Sequence, residues 1–183
     1  MRKKDKIYEE YLATAARMGD RRAIDALVRY RSPRLYSHAY RLLGDRDDAM
    51  DAVQDAWIEI LRGLPQLIEP RAFPAWAYQI TTRRCARLID KNIKQRALGE
   101  NPDPAMIPES PEPGPAAADA NTIRAAINTL PHDHAATLKL FYLDEMSVRE
   151  VAFALDIPVG TVKSRLMHAR QKLKQTLKGN QNG

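Results

Sequence analysis

Between Thr161 and Arg170 the sequence TVKSRLMHAR sets short polar side chains beside long cations, and no acidic residue follows Asp156. Thr161, Lys163, Ser164, Arg165, His168 and Gln171 lie off the apolar stripe formed by Val162, Leu166, Ala169, Leu173 and Leu177. One helical face therefore packs inward while the other offers hydrogen-bonding groups and positive charge, the chemistry needed to meet base edges and phosphates in a DNA major groove. A second group is of opposite sign. Asp48, Asp51, Asp55 and Glu59 recur at helical spacing, flanked by Gln54 and Trp57, with Val53, Ala56 and Ile60 on the other side. Such a stripe is either a solvated face or a docking site for a basic partner helix. A third group joins Arg83, Arg84, Arg87, Lys91, Lys94 and Arg96 to the aromatic residues Phe73, Trp76 and Tyr78. Cations edged by rings suit single-stranded nucleic acid, because bases stack on rings while the backbone follows charge. Trp76 and Ile80, four apart, equally fit a core.

Catalytic chemistry has no comparable group. His132 and His134 are too close to share a helical face, and His38 and His168 stand alone. Neither a phosphate-cradling glycine loop nor a zinc-type spacing is present, so no metal site, cofactor or enzymatic activity is expected. The lone Cys85 reads as a structural thiol and fits a reducing cytoplasm.

These groups need helices to position them. Ser147 and Glu150 form a capping box that opens a short helix, Asp156-Ile157-Pro158 makes the turn, and Pro158 starts the basic helix: a helix-turn-helix. Upstream, Gly19-Asp20 separates two helices. Pro33 falls inside the second and is a candidate kink. Asp45 caps a third over about 46–62, and Pro74 starts a fourth that runs to about Gln95 across a loop at 64–73. Ile123, Ala126, Ile127 and Leu130 carry a further helix, and Pro131 opens the next. The expected fold is all-α: a helical block over 6–96, a flexible acidic linker over 97–119 and a second helical block over 120–178. The linker contains GENPDPAMIPESPEPGPAAAD, too proline-rich and polar to bury a core.

The chain has 183 residues, 44% hydrophobic and 28% charged, with a net charge of +6. That excess favours an anionic partner without proving one. The basic N-terminus is not followed by a long apolar run, so no signal peptide or membrane insertion is expected.

RLYSHAYRLLGDRDDAMDAVQDAWIEILR (34–62), FPAWAYQITTRRCARLID (73–90) and LPHDHAATLKLFYLDEMSVREVAFALDIPVGTVKSRLMHARQKLK (130–174), in this order, resemble bacterial extracytoplasmic-function sigma factors of the sigma-70 family. The resemblance implies that Asp48, Asp51, Gln54, Asp55 and Trp57 dock on the clamp helices of core RNA polymerase. It implies that Phe73, Trp76, Gln79, Thr82, Arg83 and Arg87, with loop 64–73, read and melt the −10 element of promoter DNA. Thr161, Lys163, Ser164, Arg165, Met167, His168 and Arg170 fall on the −35 reader. An anti-sigma factor is the further partner implied, with the cytoplasm as location. The resemblance implies a sigma factor without the extra domains of the housekeeping group. Four positions depart from the pattern: Thr82-Arg83 stand where the family commonly has Arg-Asn, Arg87 where it has Asp, and Pro158 where a Ser commonly caps the recognition helix. Two other readings fit parts of the sequence, a stand-alone helix-turn-helix regulator and a sigma mimic that sequesters an anti-sigma protein. The first leaves the acidic stripe and the arginine-rich helix unexplained; the intact cationic face argues against the second.

Overall fold

The computed structural model describes residues 3–97, 127 and 130–179. They form seven α-helices and two short 3-10 turns, with no strand among the described residues. Helix α1 spans Lys3–Arg17, α2 Arg21–Leu43, α3 Arg46–Gly63 and α4 Phe73–Ala97; the turns Leu64–Gln66 and Pro70–Ala72 bridge α3 and α4. Then come α5 (His132–Tyr142), α6 (Val148–Leu155) and α7 (Val159–Gly179). The expected linker, apart from Ala97, lies outside the described residues, as does the helix expected before Pro131 except for Ile127 and Leu130.

Local chemistry sets these limits. Asp20 accepts hydrogen bonds from the backbone of Arg22 and Ala23, and Asp45 from Asp47 and Asp48, satisfying amides that α2 and α3 leave open at their starts. Gly44 closes α2 at φ 75°, a conformation that costs glycine little. The Ser147–Glu150 capping box forms as its spacing demands. Pro158 stands just before α7, and Pro131 just before α5. Helix α2 continues through Pro33. The expected loop 64–73 is in fact mostly wound into the two 3-10 turns, each with proline near its start.

The two helical blocks are packed against each other. One apolar core runs from Leu12, Leu27, Leu35, Ile60 and Phe73 through Tyr78 and Ile80 to Leu140, Met146, Val151, Leu155, Val162 and Leu166. Helix α6 lies on α4, and α5 on α2. A helix as short as α6 has little stability of its own, and its buried Val151, Ala152, Ala154 and Leu155 need such a surface. A smaller cluster of Leu130, Ala135, Leu138 and Ala169 holds α5 to α7.

Two polar contacts cross the centre, although one Arg31 nitrogen there has no hydrogen-bond partner. Arg31, fully buried on α2, makes a two-pronged ion pair with buried Glu9 of α1. Breaking such a pair on one side costs about 3–5 kcal/mol. Tyr78 donates to Asp144 at 2.9 Å, joining α4 to the turn before α6.

Candidate nucleic-acid interface

The acidic stripe sits on α3 with its members in different surroundings. Asp51 and Gln54 are exposed. Asp48 accepts from Asn92 of α4 at 3.1 Å. Asp55 lies 3.7 Å from Arg84, whose guanidinium also binds Glu59 at 2.5 Å. Asp48, Glu59 and one side of Asp55 thus clamp α3 to α4, leaving Asp51, Gln54 and the outer side of Asp55 as the stripe's outward part. Trp57, expected on the docking face, is buried instead, with Nε1 donating to Ser32 Oγ at 2.9 Å. It forms the floor of an apolar groove with Pro33, Tyr36, Met50 and Val53. Sequence reasoning missed this groove. Met50, one turn before Gln54 on the same face, was the available signal; the α2 contribution had none.

The −10 candidates on α4 are mostly inward. Phe73 is fully buried and meets Trp76 edge-on at 6.3 Å. Trp76 is half-buried over Gly63, where an added Cβ would come within 2.9 Å of its ring. Gln79 is buried and Thr82 half-buried, whereas Arg83 and Arg87 are exposed. Tyr78, read from sequence as a candidate stacking ring, is fully buried. Phe73 and Tyr78 therefore offer no face to a base in this conformation; the physical reason is the continuous core through α4. Burial, with the charge of Asp144 behind it, also drives the Tyr78 hydroxyl above its ordinary range. Next to it His38 is fully desolvated and faces the cations Lys139 and Arg41, which together push its pKa down to about 3. Being neutral, its Nε2–H donates to Thr82 Oγ1 at 2.9 Å while that hydroxyl donates onward.

The −35 candidates on α7 face outward. Lys163, Ser164, Met167, His168 and Arg170 are exposed and Thr161 is half-buried, over buried Val162, Leu166 and Ala169. Two cations are held by their own block. Arg165, half-buried, pairs with Asp133 of α5 at 2.9 Å. Arg170 donates to the Tyr142 hydroxyl at 2.7 Å and lies over the Phe141 and Tyr142 rings. Burial works to raise the Asp133 pKa, but the hydrogen bond from His134 and the charge of Arg165 outweigh it and hold the carboxyl below its usual range. Asp133 and Tyr142 were not singled out from sequence, since their partners lie about thirty residues away.

Cys85 is buried and its pKa is pushed up to about 12 by desolvation, which makes it a poor nucleophile near neutral pH. Among the described residues no group of three or more His, Cys, Asp or Glu side chains could hold a metal, and no helix is long and apolar enough to cross a membrane.

Residues 27–94 match the family model for sigma-70 region 2, and residues 120–173 that for sigma-70 region 4. The chain is 33% identical to the ECF RNA polymerase sigma factor SigE of Mycolicibacterium smegmatis over 87% of its own length and 64% of the relative's. It is 33% identical to SigL of Mycobacterium tuberculosis (strain ATCC 25618 / H37Rv), covering 78% of this chain and 82% of that one. With SigW of Bacillus subtilis it shares 29% identity over 87% and 91% of the two chains. The fold matches the sigma factor RpoE of Bartonella quintana, solved with the anti-sigma factor NepR, at TM-score 0.67 and 22% identity, covering 84% of this chain and 96% of that one. It also matches CnrH, solved with the cytosolic domain of CnrY, at TM-score 0.60 and 23% identity over 94% and 98%. By its two region models and its 33% identity to SigL over 82% of that chain, the chain belongs to the ECF RNA polymerase sigma factors.

Proposed function

We propose that this sigma factor docks on core RNA polymerase through the outward side of α3 and directs it to promoters whose −35 and −10 elements are read by α7 and α4. The observation that carries this reading is the division of charge. Asp51 and Gln54 stand exposed on α3, beside an apolar groove, while α7 presents Lys163, Ser164, Met167 and His168 with no acidic residue on its own length. An acidic rim next to a groove suits a basic amphipathic helix. An acid-free cationic face suits a phosphate backbone.

The chain then acts as a binding subunit and the polymerase supplies catalysis; no cofactor enters. In this reading residues 6–96 form the polymerase and −10 block, 97–119 the connection and 120–178 the −35 block. The surroundings of the site residues refine their roles. Asp51, Gln54 and Asp55 touch the polymerase, with Asp48 and Trp57 holding that surface in shape. Lys163, Ser164, Met167 and His168 approach base edges, and the cations Lys163 and Arg170 approach phosphate. Trp76, Thr82, Arg83 and Arg87 meet the −10 strand, with Phe73 and Gln79 as their support. The protein works in the cytoplasm, and an anti-sigma factor is its regulatory partner, as named for the sigma factor RpoE of Bartonella quintana, which it resembles in fold.

Run-off transcription with core polymerase on a promoter library tests the reading: promoter-dependent RNA is expected. Asp51→Arg combined with Asp55→Arg should abolish capture of core enzyme while leaving the helical fold intact, because both side chains are exposed. Unchanged capture would place the polymerase contact elsewhere.

A further inference from the structure

A cavity of about 220 Å³ opens where α1, α2, the turn Pro70–Ala72, the start of α4 and the segment 144–150 meet. At about 30 Å³ per water it has room for about seven waters, or for one molecule of amino-acid size. Its lining is graded in polarity. The exposed part carries Lys6, Glu10 and Arg71. The buried part holds Ala75 and Met146 together with two charged groups, Arg31 and Asp144.

The buried pair sets the chemistry. Arg31 Nε and Nη2 both donate to Glu9, yet Nη1 has no hydrogen-bond partner in the protein. A buried donor without an acceptor is costly. Glu9 already balances the charge of Arg31, so Nη1 needs a lone pair more than it needs another anion. Asp144 stands close enough for its charge to act on Arg31. Its carboxylate accepts from Tyr78 and lies 3.9 Å from Arg34, and a carboxylate with about four lone-pair sites can accept more. A donor and an acceptor near each other match a carboxamide, whose oxygen accepts while its nitrogen donates. A carboxylate in the same place would meet the like charges of Asp144 and Glu9. The exposed part is of mixed sign. Lys6 is held by Glu145 at 3.4 Å and Arg71 by Glu69 at 3.2 Å, all with well-exposed side chains, and such pairs are weak and open to exchange. Glu10 makes no ion pair among the described residues.

We propose that this cavity binds a small zwitterion with a carboxamide side chain, of the size of free glutamine. The amide lies between Arg31 and Asp144, its methylenes pack on Ala75 and Met146, the ammonium turns to Glu10 and the α-carboxylate to Lys6 and Arg71. Arg31, Asp144, Ala75 and Glu10 are assigned to neither polymerase nor DNA, so the site is separate from those surfaces.

The test uses the full chain with L-glutamine as the probe. L-Glutamate replaces the amide by a carboxylate, and L-norvaline replaces it by a methyl group. In isotope-labelled protein the Arg31 Nε–H resonance should shift saturably with glutamine, at an affinity about tenfold or more above that for either control, as expected of a site built to pair with one polar group. Glu10→Gln should weaken glutamine about threefold, the scale of an exposed ion pair. Ala75→Leu should fill the cavity and abolish binding, with circular dichroism reporting whether the helices are retained; if that variant does not fold, the exposed Glu10→Gln carries the test. Absence of a saturable shift with glutamine would overturn the site and leave water as the partner of Nη1. Equal affinity for all three amino acids would overturn the amide assignment, and an unchanged affinity in Glu10→Gln would overturn the placement of the ammonium. None of these measurements involves polymerase or promoter, so the site can fail while run-off transcription succeeds, and the reverse.

Discussion

The two helices proposed as DNA readers are built in opposite ways. Helix α7 exposes Lys163, Ser164, Met167 and His168 over a buried stripe of Val162, Leu166 and Ala169. Helix α4 buries Phe73, Tyr78 and Gln79, and binds Thr82 and Arg83 to α6. A duplex major groove can be entered by a finished helix whose side chains already point outward. An unpaired strand needs surfaces that pair with bases only after melting, and a protein that left such surfaces open would present unsatisfied rings and donors to water. The contrast predicts that substitutions in α7 change DNA binding with little effect on stability, whereas substitutions in α4 change both.

The largest test of that contrast is Phe73→Ala against Met167→Ala. Removing a fully buried ring should cost about 3–5 kcal/mol, enough to remove much of the margin by which a domain is folded. Met167, more than half exposed, should cost within about 0.5 kcal/mol. Urea unfolding of both variants measures the difference. Similar costs at the two positions would break the comparison.

Acid should separate the two readers next. His38 lies beneath the covered face of α4, against Thr82 and Tyr78, with Lys139 and Arg41 around it. Its pKa in the folded chain is about 3, below the ordinary value, so the unfolded chain binds the proton first. The stability that His38 contributes is therefore fully present above pH 6.5 and is lost as pH falls toward 3. The slope approaches about 1.4 kcal/mol per pH unit, or about 2 kcal/mol by pH 5. In His38→Gln this slope should vanish from the difference between unfolding curves at pH 7 and pH 5. A slope that survives in the variant would show that the acid response comes from other groups.

Periodicity revealed the helices, and caps revealed their ends: Asp20, Asp45 and the Ser147–Glu150 box each act within three or four residues in sequence. The exposed face of α7 was legible for the same reason, since exposure alternates with an apolar stripe on one helix. What remained hidden depends on neighbours distant in sequence. Nothing local distinguishes Asp51, which faces solvent, from Asp55, which shares Arg84 with Glu59. The ring of Trp57 has the same spacing whether it docks outward or reaches back to Ser32. The closed packing of α6 on α4 was illegible too, because the expected linker between the blocks sets no distance, and the bonds that hold them are single polar contacts at Thr82, Arg83 and Tyr78.

The smallest expected effect concerns Arg165, the one cation of the −35 set that is tied to a carboxylate. Asp133 stays ionised at neutral pH, its carboxyl held low by His134 and Arg165 despite partial burial. The pair neutralises itself, so Arg165 should act as a strut from α7 to α5 rather than as a reader. Each protein cation engaged with phosphate adds about 0.9 to the slope of log affinity against log salt. Lys163→Gln should therefore make the slope for duplex DNA shallower by about one. Asp133→Asn should steepen it by up to the same amount, because Arg165 is released toward the backbone, and should improve low-salt binding a few-fold at most. Fluorescence anisotropy over a salt series reads both. If Asp133→Asn leaves the slope unchanged while Arg165→Gln flattens it as much as Lys163→Gln does, Arg165 already reaches the DNA past Asp133, and α7 reads with its inner edge as well as its outer one.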